Sequence, residues 1–464
     1  MKQALFFALA ATFAAMLFFW HLRTGKTGAR ADRVMTAIPV ALFLYCIVTL
    51  ACNVPFWDDY DAILRYLSRP AAERLKTIFA FHNEHRIFMP RLFFEGVRLV
   101  FGQFNFTACI LAGDMLLIIY VFLLGRRIAA ATAWWYYLPC LWLFLDLANY
   151  ENTLWALTAV QSHAVVLCAF LACLFFSKRR SPLCFIASLL CGFAATYTTG
   201  SGMAVWPCLA LAALKDRLGR RRTGEESAAI SGTAAVWRAV LFLAVAGASI
   251  GCYLNGFFEN SAALKATYEP VQTTFAGAVL KMADFCVTFL GAVVPSRPLA
   301  LLLGIPMAAV VFYILKNAAK VKDGVLFSFW LFLMATICAG AVFRGVNPPP
   351  GGGTAAAACR YGIVSISTVA TSLAMVTALL KDGGPPKAWN ALIRLFLYGA
   401  CVVNLYALFH GYGKMSDRKH DLESGLADWP RETEGLKYPD QARASETLHR
   451  AQAAGVFTVT RAER

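Results

Sequence analysis

The chain has 464 residues, of which 59% are apolar and 15% charged, with 43 Lys and Arg against 27 Asp and Glu. With a mean hydropathy of +0.58, this composition excludes an ordinary soluble domain. The net charge of +16 does not point to nucleic acid. The basic residues sit in short clusters between apolar runs, and the sequence has no P-loop, dinucleotide fingerprint or zinc-type Cys/His spacing.

Apolar runs of roughly 17–22 residues alternate with short charged loops, and a backbone crossing lipid must satisfy its own hydrogen bonds. The predicted fold class is therefore all-α, a polytopic helical membrane protein with about twelve transmembrane helices. The first run, Leu5 to Trp20, reads as a retained span, and Arg23, Lys26, Arg30 and Arg33 form a basic loop assigned to the cytoplasm. A span over Val34–Ala51 then places residues 52–105 outside, as a large loop with amphipathic helices. Spans follow near Phe106–Leu124, Trp134–Leu147, Thr153–Phe176, Leu183–Ala195, Met203–Leu214 and Val240–Leu254. The clusters Arg126-Arg127, Lys178–Arg180 and Lys215–Arg222 all fall on the cytoplasmic side of this scheme. Lys281 and Asp284 interrupt Phe275–Val294, which is expected to lie on the surface or re-enter. Spans near Leu299–Leu315, Leu326–Val342, Ile363–Leu380 and Ala391–Phe409 complete the bundle, with Asn347–Thr354 as an outer loop. Residues 1–410 are thus taken as the membrane domain. Residues 411–464 form a mixed-charge polar tail assigned to the outer side, with one helix near Asp440–Ala453 and too few apolar residues for a core of its own.

The chemistry-bearing residues concentrate in Trp57–Arg91. Asp58 and Asp61 share a helical face, and Asp58 or Asp59 at the mouth of a membrane cavity is suited to act as general base toward a sugar hydroxyl. The Asp59-x-Asp61 pair is equally suited to hold Mg²⁺ or Mn²⁺ against a phosphate. Glu84, His85, Arg86 and Arg91 add an acid and guanidinium groups matched to phosphate oxygens. The bland alternative is a solvated amphipathic face, with Asp61–Arg65 an ordinary i,i+4 pair. A second group, Asn149–Asn152 with Glu151, Asn152, Trp155, Gln161 and His163, starts where one span emerges and runs into the next. It lines a substrate cavity or makes interhelical hydrogen bonds. Thr198–Gly202 before Trp206-Pro207 reads as a tight turn, and Arg360-Tyr361 opens a late span where the arginine holds a lipid-linked phosphate or snorkels.

Taken in order, the acidic pair after an early span, Asn83-Glu84-His85-Arg86, Glu151-Asn152…Trp155…Gln161, the glycine turn before Trp206-Pro207 and Arg360-Tyr361 resemble a bacterial group regarded as GT-C-type glycosyltransferases. The resemblance covers roughly residues 35–410 and not the tail, and it departs from the group in carrying an extra span at its start. It implies inverting sugar transfer from a polyprenyl-phosphate donor to an envelope glycan, lipid or polymer, on the outer face of a bacterial inner membrane. Asp58 or Asp59 would be the base, and Arg86, Arg91 or Arg360 would hold the leaving phosphate. Two other readings remain open: a transporter or flippase of a lipid-linked saccharide, and a membrane acyltransferase using His82 or His85.

Overall fold

The computed structural model describes residues 29–223, 232–260, 274–293, 296–345, 361–380 and 386–459. The expected span over 5–20, the loop over 347–354 and Arg360 lie outside them. The described residues are mostly helical. Its elements are α1 (Ala29–Leu50), α2 (Ala71–Thr77), the strands β1 (Phe81–His82) and β2 (His85–Arg86), then α3 (Phe88–Phe101), α4 (Phe106–Ala131), α5 (Leu138–Phe144) and α6 (Tyr150–Thr153). They continue as α7 (Ala156–Ser177), α8 (Pro182–Thr196), α9 (Val205–Thr223), α10 (Gly232–Leu254), α11 (Phe275–Leu290) and α12 (Arg297–Lys316). The last are α13 (Gly324–Gly340), α14 (Gly362–Leu380), α15 (Lys387–Asp428) and α16 (Gln441–Ala453). Among the described residues, 8 helical segments are long and apolar enough to cross a membrane, on α1, α4, α7, α10, α12, α13, α14 and α15.

Other stretches expected to cross are built differently. Trp134–Leu147 holds a 3-10 turn and the short α5, with Pro139 at the start of the helix. This broken backbone is tolerated because α5 is wholly buried in protein, and the Asn404 amide on α15 donates to the carbonyls of Trp142 (2.5 Å) and Leu145 (2.8 Å). The 15-residue α8 is apolar but shorter than a full span, and α11, the stretch expected not to cross, has 16 residues. At the centre runs α14, rich in Ser, Thr and Ala. Its hydroxyls bond back to carbonyls one turn earlier, as Ser367 does to Ile363 (2.6 Å), and reach neighbours, as in Tyr120–Ser367 (2.6 Å) and Trp330–Ser372 (2.9 Å).

The two ends of the bundle differ. The basic clusters gather at one end, as the charge pattern predicts. There Arg127 pairs with Asp323 (2.9 Å), which also caps α13, Arg179 pairs with Asp216 (2.9 Å), and Lys215 donates to the Val321 carbonyl.

The opposite end carries a folded cap. A separate apolar core there joins Tyr60, Ile63, Leu64, Phe94, Phe104 and Phe106 from the first loop to Leu426, Trp429, Leu448 and Phe457 from the tail. The tail, with its helix where the sequence placed one, packs as the second half of the loop's core. Backbone bonds seal the join, from Trp57 to Lys437 (3.0 Å) and from Phe104 to Val456 (2.7 Å).

Candidate functional site

The cap spends most of its charge on its own backbone. Arg91, almost buried, donates to the carbonyls of Thr77 (2.8 Å), Ile78 (3.0 Å) and Ala80 (2.6 Å) and lies over the Tyr66 ring. It thereby closes the C-terminal end of α2, and burial pushes its guanidinium down to about 10. Arg86 stacks on Phe81 and donates to the carbonyls of Phe79 (2.6 Å), Tyr253 (3.0 Å) and Asn255. Of the arginines expected at a phosphate, Arg86 fastens the hairpin to α10 and Arg91 fastens the end of α2 to α3.

The three aspartates of Trp57–Asp61 part company. Asp59 is 1% exposed, and both of its oxygens are occupied. Oδ1 accepts from the Trp155 indole (3.1 Å) and the Leu157 amide (3.0 Å), and Oδ2 accepts from the Phe56 amide (3.1 Å). It is a cap donated from a distance to the start of α7, where the helix dipole favours a carboxylate. Burial pushes its carboxyl up to about 8 against those three donors. Asp61 accepts from Tyr438 (2.5 Å) and Arg443 (2.8 Å) of the tail and from Arg65 (3.4 Å). Burial raises its carboxyl, but the Tyr438 and Arg443 hydrogen bonds outweigh that and leave it below its usual range. The pair read as a cation holder is thus divided between two structural jobs. Among the described residues, no group of three or more His, Cys, Asp and Glu could hold a metal ion.

Asp58 is the aspartate left reachable, with its side chain 37% exposed. The Asn83 amide donates to its Oδ2 at 3.4 Å, and His82 Nε2 lies 3.8 Å from the same oxygen. That ring nitrogen is buried and has no hydrogen-bond partner among the described residues. The backbone is bent around this point. Trp57 and Asn83 are the two described non-glycine residues at positive φ, +48° and +49°. The left-handed region costs a tryptophan more than an asparagine, so Trp57 holds its place against its own preference, with its indole 48% exposed. Asn83 is fixed in turn by Asn260, whose amide donates to its carbonyl at 2.7 Å.

The neighbouring hairpin residues support this point. Glu84 is ion-paired with Arg344, a partner the sequence reading missed at the end of a span. His85 pairs with His82 across the hairpin and packs beside Gly200, where a side chain would meet the Tyr253 hydroxyl (2.9 Å) and His85 (3.4 Å). Burial, with His82 adding, lowers the His85 ring to about 4. The glycine turn is indeed tight: a Cβ on Gly202 would fall 1.8 Å from the Ala195 carbonyl oxygen.

In the second group, Trp155 is the Asp59 donor, and the Gln161 amide donates to the Thr198 carbonyl at 3.2 Å. Asn152 is buried, and Glu151 is half-buried at the edge of the cap. Tyr361 packs on Phe289, with ring centroids 5.1 Å apart. Deeper in the bundle, His163 Nδ1 lies 3.0 Å from the Gly113 carbonyl and 3.8 Å from Asp114, a fully buried carboxylate with no hydrogen bond to either oxygen among the described residues. Asp114 is a lone acid inside an apolar run, a signal the sequence did offer. No protein family, curated protein or solved structure matches the chain.

Proposed function

We propose that the protein is a multi-pass membrane glycosyltransferase of GT-C-like architecture, with about twelve spans, acting at the cap end of the bundle. One observation carries this reading. Of the three aspartates in Trp57–Asp61, Asp58 alone is exposed and free of a structural partner stronger than one long hydrogen bond, and it follows an exposed tryptophan on strained backbone. A base must reach its proton, and Asp58 can, whereas Asp59 and Asp61 are consumed.

In the proposed reaction the Asp58 carboxylate takes the proton of an acceptor hydroxyl. The oxygen then attacks the anomeric carbon from the face opposite the phosphate, and the C–O bond to polyprenyl phosphate breaks with its electron pair leaving on the phosphate. Asn83 and His82 orient the carboxylate, Trp57 offers a flat apolar face to a sugar ring, and Glu84–Arg344 fixes the hairpin. Asp59 holds the start of α7 and takes no part in the transfer itself. The donor arrives within the lipid, and the acceptor is an envelope glycan, lipid or polymer at the outer face of a bacterial inner membrane.

The experiment is transfer in reconstituted membranes, with radiolabelled polyprenyl-phosphate sugars and envelope acceptors. Label moving to an acceptor supports the reading. Movement of a lipid-linked saccharide between leaflets without transfer would favour the alternative of transport, for which the Asp114–His163 pair inside the bundle speaks.

A further inference from the structure

Arg65, Arg74, Arg86, Arg91, Arg344 and Arg443 of the cap each reach a carboxylate or a carbonyl. Arg418 does not. It projects from α15 with its guanidinium carbon 4.0 Å from the centre of the Phe56 ring and 5.6 Å from that of Tyr150. One of its terminal nitrogens is buried, and neither a hydrogen bond nor an ion pair to it occurs among the described residues. Glu151 and Asp59 act on it electrostatically without reaching ion-pair distance, so its charge is held in place but not consumed. A partly buried guanidinium with an unused buried donor is costly unless something binds it, and its planar fork matches phosphate oxygens.

Its position says where that partner comes from. Phe56 is two residues from Asp58 in sequence, and Tyr150 and Glu151 belong to the second group of functional candidates, so Arg418 lies where the two groups meet. Val402, Tyr406 and Phe409 on the same helix are exposed apolar side chains, as lipid contact requires. Arg418 stands nine residues further along, roughly 14 Å at the helical rise. That sets it beyond the exposed apolar stretch of the helix, on the side of the cap. Its neighbour Lys419 is otherwise engaged, donating to the Thr49 carbonyl at the end of α1 (3.0 Å).

We propose that Arg418, framed by Phe56 and Tyr150, is the binding site for the phosphate of a membrane-anchored polyprenyl phosphate. The assignment rests on the glycosyltransferase reading for the identity of the lipid, and it names the group that receives the charge of the leaving phosphate. Arg86 and Arg91 are committed to the backbone and do not compete for this role.

The test is binding by the full-length protein in nanodiscs, using a short-chain polyprenyl phosphate, the matching polyprenol, phosphatidylglycerol and inorganic phosphate as probes. Arg418→Gln should weaken polyprenyl phosphate by about 10-fold or more, the loss expected of a charge-assisted bond, and leave polyprenol unchanged. Arg418→Lys should recover only part of the affinity, because a point charge lacks the fork. Should the variants fold poorly, hydrogen exchange on the wild type decides. Polyprenyl phosphate, and not polyprenol, must protect the segments around Phe56 and Tyr150. Equal affinity in Arg418→Gln and wild type, or the absence of that protection, overturns the site. Equal, Arg418-dependent displacement by phosphatidylglycerol or by inorganic phosphate overturns the polyprenyl assignment. Arg418-dependent binding without any sugar transfer would sink the transferase reading and leave the phosphate site standing. Transfer that survives in Arg418→Gln with unchanged binding would do the reverse.

Discussion

The two ends of this bundle use charge in opposite ways. At the basic end Arg127 pairs with the N-cap of α13, Arg179 pairs with Asp216 of α9 and Lys215 of α9 reaches a carbonyl, partly exposed contacts that contribute little individually. A cavity of about 500 Å³ there is lined by Thr36, Ala37, Val40, Phe122 and Trp134 beside Asp32 and Arg33. At the cap end the carboxylates and guanidiniums are drawn inward to hold carbonyls, amides and helix ends, and Asp58 and Arg418 stand out from that economy. The comparison teaches that a cluster of charges is not itself a site. In this cap most of the charge is construction, and the functional candidates are those that the construction leaves unused.

The contrast can be broken at several points. The largest effect is expected at Asp58. Asp58→Asn should lower sugar transfer by about 10²–10⁴-fold, the range of a lost general base, with its melting temperature unchanged. Next comes the join between loop and tail. Leu448→Ala empties a fully buried position of the cap core and should cost about 2–5 kcal/mol, read as a lower melting temperature of the purified protein. Asp59→Asn sets an amide N–H against the donors that Asp59 accepts. It should cost about 1–3 kcal/mol, and transfer should fall only as folded protein is lost.

The smallest effect concerns acid. His85 is held neutral with its ring lowered from 6.5 to about 4, so the unfolded chain binds a proton the native cap does not. Its contribution is fully present above pH 6.5 and is lost as pH falls from there toward 4. Thermal melts of His85→Gln should show a shallower decline across that window than wild type. An identical decline would remove His85 as its cause.

Hydropathy made the eight longer spans legible, because lipid leaves the backbone few choices, but it did not separate them from Trp134–Leu147 and Leu183–Ala195, which fold as shorter pieces. Runs such as Phe106–Ala131 and Gly362–Leu380 could be read directly from their composition. The stretch Trp57–Arg91 was also legible as the place where charge gathers. What was not legible is which charge is spent. Asp58 and Asp59 are adjacent and chemically alike, and what separates them is the start of α7, almost a hundred residues away, meeting one side of a single turn. Arg91 and Arg86 carried the right chemistry for a phosphate but met carbonyls first. Arg418 looked like one more charge in a polar tail, because nothing in its local sequence shows that Phe56 and Tyr150 close over it.

The proposed separation of duties between adjacent aspartates is tested most directly by taking Asp58→Asn and Asp59→Asn side by side. Each would be followed by transfer per folded molecule and by melting temperature in the same membranes. Asp58→Asn is expected to melt with wild type and not to transfer, while Asp59→Asn melts early and transfers in proportion to what remains folded. Transfer at wild-type rate in Asp58→Asn, or its loss in a fully stable Asp59→Asn, would contradict it.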